Sequence, residues 1–248
     1  MRKASFVIFL SVFALIPAAA AYAQAFVDVE AGAAFTGYND AAVPADTGTR
    51  FSLADDLSSD PAPAFRMRVG YTFADRHTVS LLAAPLTVRG EAVLDEAVTY
   101  RGKTYAAGER VNSLYRFDSY RLTYRYEFVR TGDFEVGAGL TAKIRSAEIA
   151  LMGDSGYAVR SNLGVVPLIN LRLVWKFCEP FSALLDADAL VSPYGRAEDA
   201  LIALQYHPSP NAAVRLGYRI LEGGSDGGGN VYTFALFHYL TAGVSVSF

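Results

Sequence analysis

The chain has three histidines, His77, His207 and His238, and they are the first places to look for proton-transfer chemistry. Hydrolytic sites commonly hold a histidine against a carboxylate beside a nucleophile. His77 and His207 sit beside short polar turns, whereas His238 lies in an alternating segment near the C-terminus. Ser113 and Ser119 are hydroxyls of interest for His238, but no spacing ties either to it. Asp186 and Asp188 stand two apart, on one face of an extended segment, and a salt-bridged pair explains them more simply than acid–base work does. No metal-ligand spacing and no phosphate loop is present, so neither a metal site nor a cofactor is expected. Cys178 is a lone cysteine, which rules out an intrachain disulfide framework.

A second constellation is larger. Ten basic residues (Arg66, Arg68, Arg121, Arg125, Lys143, Arg145, Arg172, Lys176, Arg215, Arg219) and six acidic ones (Asp28, Glu30, Glu127, Glu135, Asp186, Asp188) recur between apolar neighbours. Charges placed inside a protein need partners. The expected chemistry is therefore a network of ion pairs, with Arg172 opposite Asp186 if the turn between them centres on Glu179. Glycines on the same face (Gly32, Gly70, Gly137, Gly139, Gly217, Gly243) leave room for long arginines.

The elements that must position these charges follow from period-two alternation, the pattern of a strand with two different faces. Ten segments show it: about 26–38, 65–73, 77–88, 115–129, 134–150, 163–177, 181–191, 200–207, 212–221 and 231–248. In the segment 65–73, Phe65, Met67, Val69, Tyr71 and Phe73 alternate with Arg66 and Arg68. Apolar residues make up 52% of the chain, yet after the first twenty-odd residues no run is long enough for a membrane helix, which takes about 20 residues. Apolar-out and polar-in strands are the signature of a transmembrane barrel. The expected fold is all-β: a closed, antiparallel, up-and-down barrel of ten strands, with eight or twelve as alternatives. The phase slips near Asp118–Ser119, which suggests a bulge. Pro167 has no amide to donate and needs a bulge or an unpaired position.

Residues 1–23 read as a signal peptide: Arg2 and Lys3, an apolar core from Phe6 to Ile16, then Ala21-Tyr22-Ala23 as cleavage site. Residues 24–248 form the barrel. Formal net charge is −3, and −5 without Arg2 and Lys3. A mildly acidic chain is a poor partner for nucleic acid.

The connections alternate in length. Tight turns fall at 74–76, 131–133, 178–180 and 208–211. Five longer connections fall at about 39–64, 89–114, 151–162, 192–199 and 222–230. Short periplasmic turns and longer extracellular loops are the known asymmetry of outer-membrane barrels. Phe73, Phe128, Phe134, Trp175, Phe177, Phe181, Tyr206 and Phe248 fall at the turn ends; Phe35, Tyr38, Phe65, Tyr115 and Phe117 fall at the loop ends. Two such belts suit the two membrane interfaces. The first loop is acidic, with Asp40, Asp46, Asp55, Asp56 and Asp60 against Arg50; a solvated face is the plainer reading, and divalent cations shared with lipopolysaccharide the alternative. Residues 98–105 of the second read as a small hairpin.

The final strand, Leu240-Thr241-Ala242-Gly243-Val244-Ser245-Val246-Ser247-Phe248, resembles the terminal strand of the outer-membrane β-barrel superfamily of Gram-negative-type bacteria. The stretch from Tyr115 to Tyr126 is similar to a block in uncharacterised small barrels of that superfamily. The resemblance implies export through the periplasm, an assembly signal at Phe248 read by the barrel-assembly machinery, and surroundings of outer-membrane lipid and lipopolysaccharide. It implies no activity. The reading that results is a structural or surface-interaction barrel, not an enzyme, with a salt-bridged lumen. The alternatives are a narrow pore for small anions and a lipid-modifying enzyme or protease. Nothing in the sequence sets the oligomeric state.

Overall fold

A computed structural model describes residues 24–193, 195–227 and 230–248. The leader at 1–23 lies outside the described residues. The strands are β1 (Gln24–Ala42), β2 (Phe51–Ser52), β3 (Ala62–Phe73), β4 (His77–Ala84), β5 (Thr87–Val93), β6 (Val98–Tyr100) and β7 (Lys103–Tyr105). They continue as β8 (Arg110–Arg130), β9 (Phe134–Gly153), β10 (Gly156–Cys178), β11 (Phe181–Ser192), β12 (Gly195–Ser209), β13 (Ala212–Asp226) and β14 (Tyr232–Ser247). Ten of these make the wall, with β4 and β5 as one interrupted strand beside β8. Every pairing is antiparallel, and β14 pairs back onto β1 from Phe26–Ser247 to Ala42–Tyr232, which closes the barrel. Closure leaves few backbone groups unpaired, the condition for strands in lipid.

The outer surface is apolar along its length. Leu140, Leu163, Val165, Ile202, Leu216 and Leu240 are each exposed by 60% or more, a density of large side chains that calls for lipid rather than water. The turn end carries the aromatic belt, with Phe134 stacked on Trp175 and Phe181 against Tyr206.

The loop end departs from expectation in three ways. First, the strands run further. Only two connections there are long, 43–61 and 94–109; β9–β10, β11–β12 and β13–β14 meet across 154–155, 193–194 and 227–231. Gly156 and Gly195, with φ of 114° and 134°, sit at two of these tight reversals, where a side chain would be strained. Second, Tyr115 and Phe117 face the interior, not the interface: Tyr115 is 7% exposed and packs on Phe237 at 5.4 Å. Third, the pairing of β8 with β9 is unbroken at Asp118–Ser119, and the shift falls between Glu127 and Val129 instead. The apparent slip in phase comes from Tyr115 and Phe117, aromatic residues on the face where the alternation predicts polar ones.

Those aromatic residues belong to an apolar core inside the loop half. The two long connections fold into the barrel mouth and bring Val43, Phe51, Leu53, Leu57, Val98, Tyr100 and Tyr105 against wall residues Val111, Ile149, Leu151 and Ala158. The β6–β7 hairpin is held there by its tyrosines: Tyr100 Oη donates to the Ile149 carbonyl at 3.1 Å, and Tyr105 Oη to that of Leu151 at 3.0 Å. Burial pushes the Tyr100 phenol up from its ordinary range.

Candidate functional site: a charged belt and the cavity beside the plug

Alternation along β1, β3, β8, β11, β12 and β13 turns a carboxylate or guanidinium inward from each. Asp199 is the hub. It accepts hydrogen bonds from Arg121 and, at 2.5 Å, from Arg219, and pairs with Arg66 at 3.1 Å. Glu30 accepts from Arg219 Nε at 2.9 Å and from Arg215 at 3.1 Å. Asp188 accepts from Arg121 at 2.7 Å, Thr141 at 2.7 Å and Asn170 at 3.0 Å. Asp186 accepts from Arg68 at 2.6 Å, and Asp28 takes two bonds from Arg215 at 2.5 and 2.8 Å. Five carboxylates thus meet five guanidiniums (Arg66, Arg68, Arg121, Arg215, Arg219) at balanced charge. The links from β3 and β8 to β11 and β12 join opposite walls, so the belt crosses the lumen. Gly243 makes room for it, since a Cβ there would stand 2.6 Å from Arg215 Cζ.

Near the turn end lie smaller contacts. Lys176 bonds Glu135 at 2.7 Å at the exposed mouth, and Arg125 stands 3.9 Å from Glu127. Arg172 lies opposite Asp186 in the β10–β11 register, but the hydrogen bond to that carboxylate comes from Arg68 across the lumen. Lys143, opposite Arg121 in the β8–β9 register, and Arg145 make no ion pair with the belt and line the cavity described below.

Asp199 was missed by sequence reasoning because β12 was expected to begin at residue 200, leaving 192–199 as a loop. The signal was there: Ala197, Asp199, Leu201, Ala203 and Gln205 keep one parity back toward the turn. The histidines do not converge on these groups. His238 shares a 2.5 Å hydrogen bond with Tyr218 on the outer face, while Ser119 accepts from Arg121 inside and Ser113 bonds the Gly90 carbonyl. His77 meets Tyr124, and His207 Nε2 lies 2.8 Å from the buried Ser182 hydroxyl.

On the loop side of the belt, beside the folded-in loops, is a cavity of about 590 Å³. Tyr115, Phe117, Leu190, Leu221, Val231 and Phe237 give it apolar walls; Lys143, Arg145, Arg160 and Asn162 line one side. The side chain of Lys143 lies over the Phe117 ring at 4.8 Å, and Arg145 bonds Asn162 at 2.5 Å. Next to it the wall is incomplete. The β10–β11 ladder stops at Ile169–Ala189, whereas β10 continues paired with β9 alone to Gly156. Pro167 sits two residues beyond the last β11-paired position, where a residue without an amide proton leaves no ladder bond unmade.

No protein-family model matches the chain, and no curated protein matches it. Among solved structures it is similar to the outer membrane protease OmpT from Escherichia coli, with a TM-score of 0.56 at 10% identity, over 91% of this chain and 97% of that one. It is also similar to the transport unit of the autotransporter AIDA-I from Escherichia coli (TM-score 0.45, 9% identity, 96% and 94% covered) and to Ail, the attachment invasion locus protein of Yersinia pestis (0.36, 11%, 90% and 98%). The likeness to the first is one of fold alone; the barrel of this chain is closed, ten-stranded and antiparallel.

Proposed function

We propose that this protein is an integral outer-membrane barrel, closed to ion flow, whose working surface is the loop end facing out of the cell. The observation that carries the reading is the belt. Five guanidiniums and five carboxylates, most of them buried, bridge opposite walls of a lumen that ten strands already make narrow. A permeating anion would have to displace carboxylates from short, charge-assisted bonds. The folded-in loops fill part of the mouth as well. This favours a structural or surface-interaction barrel over a pore. The outward position of His238, bonded to Tyr218, favours a binding role over a hydrolytic one. Phe248 follows β14, the strand that closes the barrel, and its amide bonds the Ala25 carbonyl; an assembly signal at Phe248 belongs to the same reading.

The test is single-channel conductance of the refolded mature protein in planar bilayers, with heat-modifiable gel migration as the check of folding. Folded protein is expected to give no steady conductance. Steady anion-selective current, altered by charge reversal at Arg121, would overturn the reading.

A further inference from the structure

We infer that the loop-half cavity binds a single-chain amphiphile with an anionic head, admitted sideways from the outer leaflet between β10 and β11. The inference goes beyond the closed-barrel reading and does not depend on it, because a conducting belt would leave the cavity and its charges in place.

Three observations meet here. The first is positive charge with no carboxylate in contact. Lys143 is 2% exposed, and among the described residues no carboxylate lies within 4.0 Å of it. Arg145 has a buried Nε without a hydrogen-bond partner, and its other contact is the neutral Asn162. Arg160 lines the same side and has no carboxylate within that distance either. The two acids that also line the cavity are engaged elsewhere: Glu148 by Arg116 at 3.2 Å and Glu222 by Arg196 at 2.7 Å. A buried cation without a partner is costly, and an anion in the cavity removes the cost. The belt carboxylate whose charge reaches Lys143, Asp199, is already shared by Arg66, Arg121 and Arg219.

The second is the apolar remainder. Phe117, Leu190, Leu221, Val231 and Phe237 have no polar group to offer a hydrated inorganic ion. They suit an alkyl chain whose head reaches Lys143. A volume of about 590 Å³ falls in the range of pockets for drug-sized ligands, roughly 300–1,000 Å³, which fits one chain better than a lipid with several.

The third is the route. Open strand edges are not left against lipid unless the backbone lines a cavity. The unpaired edge of β10 does so: Val165, Val166 and Pro167 on one lip and Leu190 and Ser192 on the other all line the cavity. Pro167 keeps the edge from being zipped shut by β11.

The test uses the folded barrel in lipid nanodiscs with cis-parinaric acid as fluorescent probe. Dodecanoate and dodecyl phosphate are the competitors that distinguish a carboxylate from a phosphate head, and dodecanol is the neutral control. Dodecanoate or dodecyl phosphate is expected to displace the probe at least tenfold better than dodecanol. Lys143→Gln and, separately, Arg160→Gln should erase most of that preference, whereas Lys143→Arg should keep it. Arg160 lies outside the belt, so its variant tests the site even if Lys143→Gln fails to fold. For the route, Val166→Trp should slow uptake of membrane-dissolved probe several-fold while leaving binding of water-soluble hexanoate unchanged. Equal displacement by dodecanol and dodecanoate, or full anion preference in the folded Arg160→Gln variant, would overturn the anion site. Equal slowing of both ligands by Val166→Trp would overturn the sideways route.

Discussion

The two halves of the lumen solve the same problem in opposite ways. In the turn half the wall turns charges inward and the charges satisfy one another: Asp199, Glu30, Asp188, Asp186 and Asp28 against five arginines. In the loop half the wall turns Tyr115, Ile149, Leu151, Leu221 and Phe237 inward, and loop residues such as Leu53, Leu57 and Tyr100 fill the space. The belt is balanced within itself, although buried Arg125 on its turn side keeps an unpartnered Nε. The loop half is filled only on one side, and the cavity with its unpaired cations is what remains. The contrast teaches that "polar inside" is a rule for a lumen filled by water or by charge, not for one filled by the chain's own loops.

The largest expected effect breaks the belt at its hub. Asp199→Ala leaves Arg66, Arg121 and Arg219 short of one carboxylate, and loss of one partner from a buried pair costs about 3–5 kcal/mol. Reversible unfolding from lipid vesicles in urea should register the loss; an unchanged midpoint would mean that water reaches the belt freely. The loop half should answer with the opposite sign. Lys143→Met removes a buried ammonium that makes no ion pair with a carboxylate, and in ligand-free protein it should raise stability by about 1–3 kcal/mol. If the same urea titration shows destabilisation comparable to Asp199→Ala, the two halves are not different in kind.

Smaller effects concern the loop attachment. Tyr100→Phe deletes the hydroxyl that bonds the Ile149 carbonyl while keeping the ring. It should cost about 0.5–1.5 kcal/mol and make the Arg101–Gly102–Lys103 turn more open to trypsin, with no change at the belt. The smallest effect is a response to acid. The Ser155 amide and hydroxyl bond Glu109 and hold its carboxyl below the ordinary range. A depressed carboxyl stabilises above its unfolded pKa, and the contribution fades as pH falls through the folded value. Trypsin protection of the 101–103 turn should therefore weaken as pH is lowered through that window before cleavage is assayed. Glu109→Gln should show weaker protection at neutral pH and no such dependence.

Legibility in the sequence divides along the same line. In the turn half, Arg66, Arg68, Arg121, Arg215 and Arg219 alternate with large apolar residues, so strand and facing are both plain. In the loop half, Tyr115 and Phe117 alternate with Arg116 and Asp118, and the pattern reads backwards. The inward residues there are apolar, while Arg116 is paired with Glu148 at the barrel's outer rim. Asp199 is hidden for a different reason: its neighbours Ala197 and Ala200 give little contrast of hydrophobicity, so the start of β12 is hard to see. The hairpin at 98–105 was visible from its strand-forming residues around Arg101–Gly102, but its destination inside the barrel mouth was not.

By itself the sequence determined the ten strands, their alternating faces and the barrel class, because a period of two is set between neighbouring residues. Tertiary structure alone decided the rest. Arg68 answers to Asp186, 118 residues away, and Arg121 to Asp199, 78 away. Such pairings depend on the stagger between strands and on the curvature of the closed wall, which no local pattern encodes. The gap beside Pro167 has the same origin: the proline marks where a ladder can stop, but only the register of β11 decided that it does.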